Sequence, residues 1–73
     1  MIGVLRELWH AQPFSPFTIH LADGRELDVQ HPDFVWVLPS GGRVSVFESD
    51  DKLHHLNPRV IVSVTSSGKQ FTE

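Results

Sequence analysis

Asp23-Gly24 lies between two runs in which apolar and polar residues alternate. The apolar positions of the two runs are Phe17, Ile19, Leu21, Leu27 and Val29. Alternation with a period of two is typical of a half-buried strand, and an Asp-Gly pair between two such runs favours a two-residue type I′ turn. We therefore predict a β-hairpin with strands at about 17–22 and 26–30.

The remaining residues predict further short strands and two interruptions. Pro32 has no amide hydrogen to donate, so a bulge or bend is expected at His31-Pro32-Asp33, and Asn57-Pro58-Arg59 predicts a corner with one turn of 3₁₀ helix. The further strands are predicted at about 34–38, 43–48, 52–56 and 60–65. Residues 66–73 are expected to form a frayed tail.

One helix is predicted before the strands, at about residues 2–11. Val4, Leu5, Leu8 and Trp9 recur at one-turn spacing and form one apolar stripe. Pro13 disfavours helical backbone in the residue before it, which ends the helix. A helix this short is marginal alone, so its stripe must pack on the strands.

These elements predict a mainly β fold with one α-helix, in which five or six antiparallel strands close into a small barrel. With 73 residues, the chain has room for a single domain, at 1–73. Barrel closure would remove adhesive sheet edges. The apolar run from Phe34 to Leu38 is far too short for a membrane span, and cysteine is absent. We expect a soluble, cytoplasmic domain that does not bind membranes.

The charge pattern does not favour nucleic acid as a partner. The formal net charge is −3, and the six basic residues are scattered singly, whereas phosphate-binding domains carry a clustered basic face. The arginines next to predicted turns are the candidate nucleic-acid contacts, namely Arg25, Arg43 and Arg59.

Motifs for metal, phosphate or catalysis are weak. The five histidines are His10, His20, His31, His54 and His55. Adjacent residues on a strand point to opposite faces, so His54 and His55 cannot share an ion, and zinc needs three or four converging ligands. The acids Glu48, Asp50 and Asp51 lack the glycine and glutamate of a calcium loop. We predict no cofactor and no metal site.

Neither a phosphate-binding loop nor a nucleophile motif is recognisable. Ser40-Gly41-Gly42 resembles a phosphate loop only in its glycines and reads as a hairpin loop, and no serine lies in a nucleophile elbow. A domain this small also lacks depth for a site that excludes water. We predict that the protein is not an enzyme; the distant alternative is a metal-dependent enzyme that uses His31 and Asp33.

Aromatic and valine residues are more numerous than a small core hides. Phe34–Leu38 is apolar on both faces of a predicted strand, so part of it is expected on the surface, where apolar patches mark partner contacts. The candidate interaction surface comprises Val35, Trp36, Val37 and Phe47. An edge strand, either 43–48 or 52–56, is expected to pair with the edge of a neighbouring subunit.

Two resemblances accompany this pattern. The run from Pro13 to Arg25, followed by Val29 to Phe34 (PFSPFTIHLADGR and VQHPDF), resembles a family of small uncharacterised bacterial proteins, which implies no function. The element order, from a helix through a strand ending in Asp23-Gly24 to a last strand after a corner, resembles the Sm-like, SH3-type barrel. That resemblance implies ring oligomers and RNA binding.

The preferred function is therefore a non-enzymatic module that binds protein, with copies of itself as the favoured partner. The alternative is an Sm-like RNA-binding protein.

Overall fold

The structure is a computed structural model that describes residues 1–48 and 52–72. It contains one helix, α1 (Ile2–Trp9), seven strands and two 3₁₀ turns. The strands are β1 (Phe17–Leu21), β2 (Glu26–Val29), β3 (Val35–Val37), β4 (Val44–Phe47), β5 (Leu53–Leu56), β6 (Ile61–Ser66) and β7 (Lys69–Thr72). The prediction of a mainly β fold with one helix is confirmed. No helix among the described residues has the length and apolar character needed to cross a membrane.

The strands form two antiparallel sheets rather than the expected closed barrel. One sheet has the order β2-β1-β6-β7 and the other the order β3-β4-β5. Within the described ranges no ladder joins the two sheets. The chain crosses from the first sheet to the second through the 3₁₀ turn Pro32–Phe34, which confirms the predicted bend. The turn ends the pairing of β2 before β3 begins.

The core lies between the two sheets and is closed on one side by α1. Its members are apolar residues of the first six strands, together with one helix residue: Leu5, Phe17, Ile19, Leu21, Leu27, Val29, Val35, Val37, Val44, Val46, Leu56, Ile61 and Val64. Phe17 is the only aromatic residue among these core members. Most aromatic rings therefore lie on or near the surface.

The helix is shorter than predicted and is tied to the second sheet by a charged side chain. It ends at Trp9 instead of near residue 11, because His10 has a ψ of 6° and turns the chain out of the helix. The Arg6 guanidinium donates to the carbonyl oxygens of Leu38 and Pro39, both at 2.7 Å. These bonds hold α1 against the loop between β3 and β4.

The Asp23-Gly24 turn is not the predicted type I′ turn. That type needs a positive φ at both central residues, but only Gly24 has one, at 92°. Leu21 N–H bonds to the Arg25 carbonyl, and Gly24 N–H bonds back to the Leu21 carbonyl, so three residues form the loop. Asp23 keeps a negative φ because its carboxylate accepts a bond from the Arg25 N–H, at 3.0 Å.

The C-terminal residues form a strand, so the prediction of a frayed tail at 66–73 is wrong for 69–72. A two-residue turn at Ser67 and Gly68, with φ of 53° and 78°, returns the chain along β6. Both central residues adopt the left-handed region that a type I′ turn needs. The corner predicted at 57–59 is confirmed as the 3₁₀ turn Pro58–Val60. The Arg59 backbone N–H donates to the Asn57 side-chain oxygen at the start of this turn.

Candidate functional site

The outer face of the three-stranded sheet carries three large apolar side chains that are exposed. Trp36, Phe47 and Leu53 are 56%, 42% and 44% exposed. Phe47 and Leu53 are direct cross-strand partners, and Trp36 lies opposite Ser45 on the same sheet. We call these three side chains the apolar face.

Val35 and Val37 do not belong to this surface, although the sequence placed them there. They are 2% and 3% exposed and pair with Val46 and Val44, which are also buried. Side chains along a strand alternate between its two faces, so burial of both valines sends Trp36 outward. The sequence left this choice open because both faces of residues 34–38 are apolar.

The edge of this sheet at β5 has main-chain groups that face away from the sheet. Glu48 N–H bonds to the Lys52 carbonyl at 2.9 Å, and hydrogen-bonded pairs alternate with non-bonded ones along an antiparallel ladder. The next bonded pair is therefore Val46 with His54, in the register of β4 and β5. The N–H and C=O groups of Leu53 and His55 consequently point outward.

Only one of the two edge strands predicted for pairing lies at an edge. The predicted strand 43–48 contains β4, which lies between β3 and β5 and is hydrogen-bonded on both sides. It cannot accept another strand. The predicted strand 52–56 contains β5, which is the edge.

An aromatic groove lies beside β3, on the side of the sheet nearest α1. It has a volume of about 630 Å³. We define the aromatic groove by its lining residues: Trp9, His10, Ala11, Gln12, Phe14, Pro32, Asp33, Val35, Trp36 and Phe47. This size is within the range of small-ligand sites.

Trp9 organises the groove. Its indole N–H donates to the Pro32 carbonyl oxygen at 2.9 Å, and its ring meets Trp36 edge-on, with centroids 5.3 Å apart. The His10 ring stacks on Trp9 at 4.4 Å. Sequence reasoning assigned Trp9 to the helix stripe and did not find the groove, because its walls come from three separate segments.

The carboxylate of Asp33 is the acidic group of the groove. Asp33 is exposed and follows Pro32 in the first 3₁₀ turn. Among residues 1–48 and 52–72 it has no ion-pair partner. Its predicted companion His31 packs instead edge-on against Phe34, with ring centroids 5.4 Å apart.

A second polar arrangement lies on the outer face of the four-stranded sheet. His20 Nδ1 lies 3.4 Å from Glu26 Oε2, and His20 Nε2 lies 2.9 Å from Thr65 Oγ1. A carboxylate, an imidazole and a hydroxyl in this order also occur in nucleophilic enzymes. No local pattern indicates this arrangement, because Thr65 is 45 residues from His20.

Among the described residues, this arrangement lies apart from the aromatic groove. Acyl transfer needs a pocket and N–H donors aimed at the developing oxyanion. Thr65 lies on β6 between two paired strands, opposite Thr18 and Gln70, so its main chain belongs to the ladders. The aromatic groove includes neither His20 nor Thr65. We therefore interpret the three side chains as a cross-strand hydrogen-bond network.

The remaining histidines pair with neighbours in the second sheet. His54 Nε2 lies 2.6 Å from Glu48 Oε1, and His55 Nδ1 lies 3.0 Å from Ser45 Oγ. The part of the chain that is described contains no cluster of three or more metal-ligating side chains. Asp50 and Asp51 of the calcium hypothesis lie outside the described residues.

The three candidate arginines lie on neighbouring turns at one end of the molecule. Arg59 lines a smaller cleft of about 220 Å³ together with Gly41, which shares the β3–β4 loop with Arg43. Ala22 N–H bonds to the Val60 carbonyl at 2.8 Å, which places the turn before Arg25 beside Arg59.

Arg25 already has an acidic partner. Its Nε lies 2.7 Å from Asp23 Oδ2. The Arg25 backbone N–H, and then its side chain and charge, hold the pKa of Asp23 below the ordinary value of 3.8. Part of the Arg25 charge is therefore compensated within the turn.

Comparison with known proteins adds no family to this description: no protein-family model, curated protein or solved structure matches the chain significantly.

Proposed function

We propose that this protein is a non-enzymatic binding module that associates with a second copy of itself through β5 and the apolar face. The observation that carries the proposal is the outward-facing main chain of Leu53 and His55 at an unpaired sheet edge. An edge of this kind is a template for another strand. The exposed side chains of Phe47 and Leu53 lie directly beside it.

The two edges of the four-stranded sheet carry charged side chains, and β3, the second edge of the three-stranded sheet, has α1 packed beside it. β2 carries the carboxylates of Glu26 and Asp28, both exposed, and β7 carries Lys69. Charged side chains on an edge oppose strand addition. In contrast, β5 reads Leu-His-His-Leu and contains no acid, lysine or proline. β5 is therefore the favoured edge for pairing.

Two-fold pairing of β5 satisfies the free groups of both copies. If Leu53 of each copy lies opposite His55 of the other, two Leu53–His55 pairs form. Each pair makes two main-chain hydrogen bonds, which gives about four new bonds. The three-stranded sheets then form one six-stranded sheet. The apolar faces of the two copies become continuous across the junction, which is the isologous geometry common in homodimers.

The mass in solution tests this proposal. Light scattering after size exclusion should give about twice the monomer mass of 8.3 kDa for the wild type, and Leu53→Lys should give monomer, because it places a charge at the edge. Val62→Lys is the matched control, since Val62 is 50% exposed but lies on the four-stranded sheet. A wild type that stays monomeric at millimolar concentration, or a Val62→Lys variant that dissociates equally, contradicts the proposal.

An RNA-binding function of the Sm-like type is the second candidate. It is supported by the placement of Arg25, Arg43 and Arg59 on three neighbouring turns and by the element order of the chain. Such binding depends on phosphate contacts and falls steeply with salt. Copurified RNA, and affinity for a single-stranded RNA that drops in Arg43→Ala and Arg59→Ala, would support it. Clean protein that retains no RNA at low salt would exclude it.

A further inference from the structure

We propose that the aromatic groove binds an arginine side chain of an extended partner peptide. The guanidinium would lie against the ring of Trp36 and donate to the carboxylate of Asp33, while the apolar neighbours of the arginine contact Phe14 and Phe47. The proposal is argued separately from self-association: Trp9 and Asp33 lie beside β3, and the free edge is β5, on the other side of β4, although the groove and the apolar face share Trp36 and Phe47.

The chemistry of the groove selects a cation. Aromatic faces attract cationic groups through the ring quadrupole, most strongly at tryptophan. Trp9 and Trp36 stand at 72° to each other, so the corner between them presents two aromatic surfaces. No lysine or arginine lines the groove in the described residues. The open cation site is therefore not filled from within the chain.

The acid of the groove selects arginine among the cations. A carboxylate accepts two parallel N–H bonds from the planar guanidinium, which also stacks on aromatic rings, whereas an ammonium group does neither. Asp33 is exposed and unpaired in ranges 1–48 and 52–72. It lies in the first turn of an exposed 3₁₀ segment, so its oxygens are available to a ligand.

The form of the groove selects a peptide rather than a free amino acid. Its volume of about 630 Å³ exceeds one side chain. The lining also includes the apolar side chains of Phe14 and Phe47, which suit apolar residues next to the arginine. A free amino acid would also place a charged main-chain carboxylate close to Asp33, which is unfavourable.

Intrinsic fluorescence provides a direct assay, since Trp9 and Trp36 are the only two tryptophans and both line the groove. The probe is the peptide acetyl-Leu-Arg-Leu-amide, titrated into the wild-type protein. Citrulline in place of arginine gives the matched neutral peptide. We expect a saturable change in tryptophan emission with the arginine peptide and about tenfold weaker binding of the citrulline peptide.

Two variants locate the binding. Asp33→Asn should weaken the arginine peptide about tenfold and leave the citrulline peptide unchanged. Asp28→Asn alters the net charge equally, but it lies on the other sheet, where its oxygen can still accept the Thr18 hydroxyl, and it should bind like the wild type. Circular dichroism checks that both variants fold.

The proposal is overturned if the arginine peptide produces no saturable change, if the citrulline peptide binds equally well, or if Asp33→Asn and Asp28→Asn have the same effect. The first result excludes the groove as a peptide site, and the other two exclude the guanidinium as the recognised group.

Discussion

The indole N–H of Trp9 donates to the carbonyl oxygen of Pro32 across 2.9 Å, and this bond joins the end of α1 to the turn between the two sheets. Both residues line the aromatic groove. The bond joins segments that are 23 residues apart and, together with the edge-on contact between Trp9 and Trp36, brings the walls of the groove together.

Replacing Trp9 with phenylalanine should remove this bond while keeping an aromatic ring. We expect the free energy of unfolding to fall by about 1 kcal/mol, the usual net contribution of one neutral hydrogen bond. Urea denaturation, monitored by circular dichroism, measures this change in the free energy of unfolding. Trp36→Phe is the control, because Trp36 is largely exposed and should cost less than about 0.5 kcal/mol. Equal costs for the two variants would show that the Trp9 bond does not stabilise the fold.

Gly68→Ala in the turn after β6 and Gly3→Ala in α1 should have opposite effects on the free energy of unfolding. Gly68 has a φ of 78°, which disfavours a side chain whatever the space around it, so Gly68→Ala should lower the free energy of unfolding by about 1 kcal/mol. Gly3 lies in α1 with no atom within 4 Å of an added Cβ. Gly3→Ala should therefore raise the free energy of unfolding, by up to about 1 kcal/mol.

Thermal unfolding of Gly68→Ala and Gly3→Ala measures the change in stability of each relative to the wild type. A Gly68→Ala variant as stable as the wild type would mean that β7 does not pair with β6 in solution. In that case residues 66–73 would be the frayed tail that the sequence predicts.

Local covalent constraints explain which parts of the fold were predictable. Pro32 and Pro58 interrupt pairing wherever they occur, so both 3₁₀ turns could be located from sequence. The alternation before and after Asp23 likewise predicted β1 and β2. The Ser67-Gly68 turn was missed because serine rarely adopts a positive φ, and the packing of the hairpin against β6 decides it.

The candidate sites depended on contacts between distant residues. Whether Val35 or Trp36 faces inward is decided by pairing with β4, and a strand that is apolar on both faces carries no local signal for that choice. The groove needs Trp9 and Trp36 to meet, and the network at His20 needs Thr65 from the far end of the chain. Closure of the strands into a barrel also depends on contacts along the whole chain. In the described residues the strands form two separate sheets instead.

The lowered pKa of Asp23 predicts a pH-dependent contribution to stability. Because the folded state depresses this pKa below 3.8, the ionised carboxylate stabilises the fold above pH 3.8, and the contribution is lost as the pH falls through the folded-state value. Asp23→Asn keeps an acceptor oxygen but no charge. The variant should be less stable than the wild type at neutral pH, and the difference should disappear in acid.

Urea denaturation at a series of pH values gives that difference directly. The same difference at all pH values would show that the charge of Asp23 does not stabilise the turn. Arg25→Gln provides the complementary check, since it removes the cation and should shrink the pH-dependent part.

Leu5 attaches α1 to the core, and its truncation should affect the helix most. It is the one helix residue that is fully buried. Leu5→Ala should cost about 2–4 kcal/mol, which is a large share of the stability of a domain this small. Val4→Ala on the same helix removes a half-buried side chain and should cost clearly less. Urea denaturation measures both, and Leu5→Val supplies a milder truncation if Leu5→Ala does not fold. Equal costs at positions 4 and 5 would contradict the packing of the helix through Leu5.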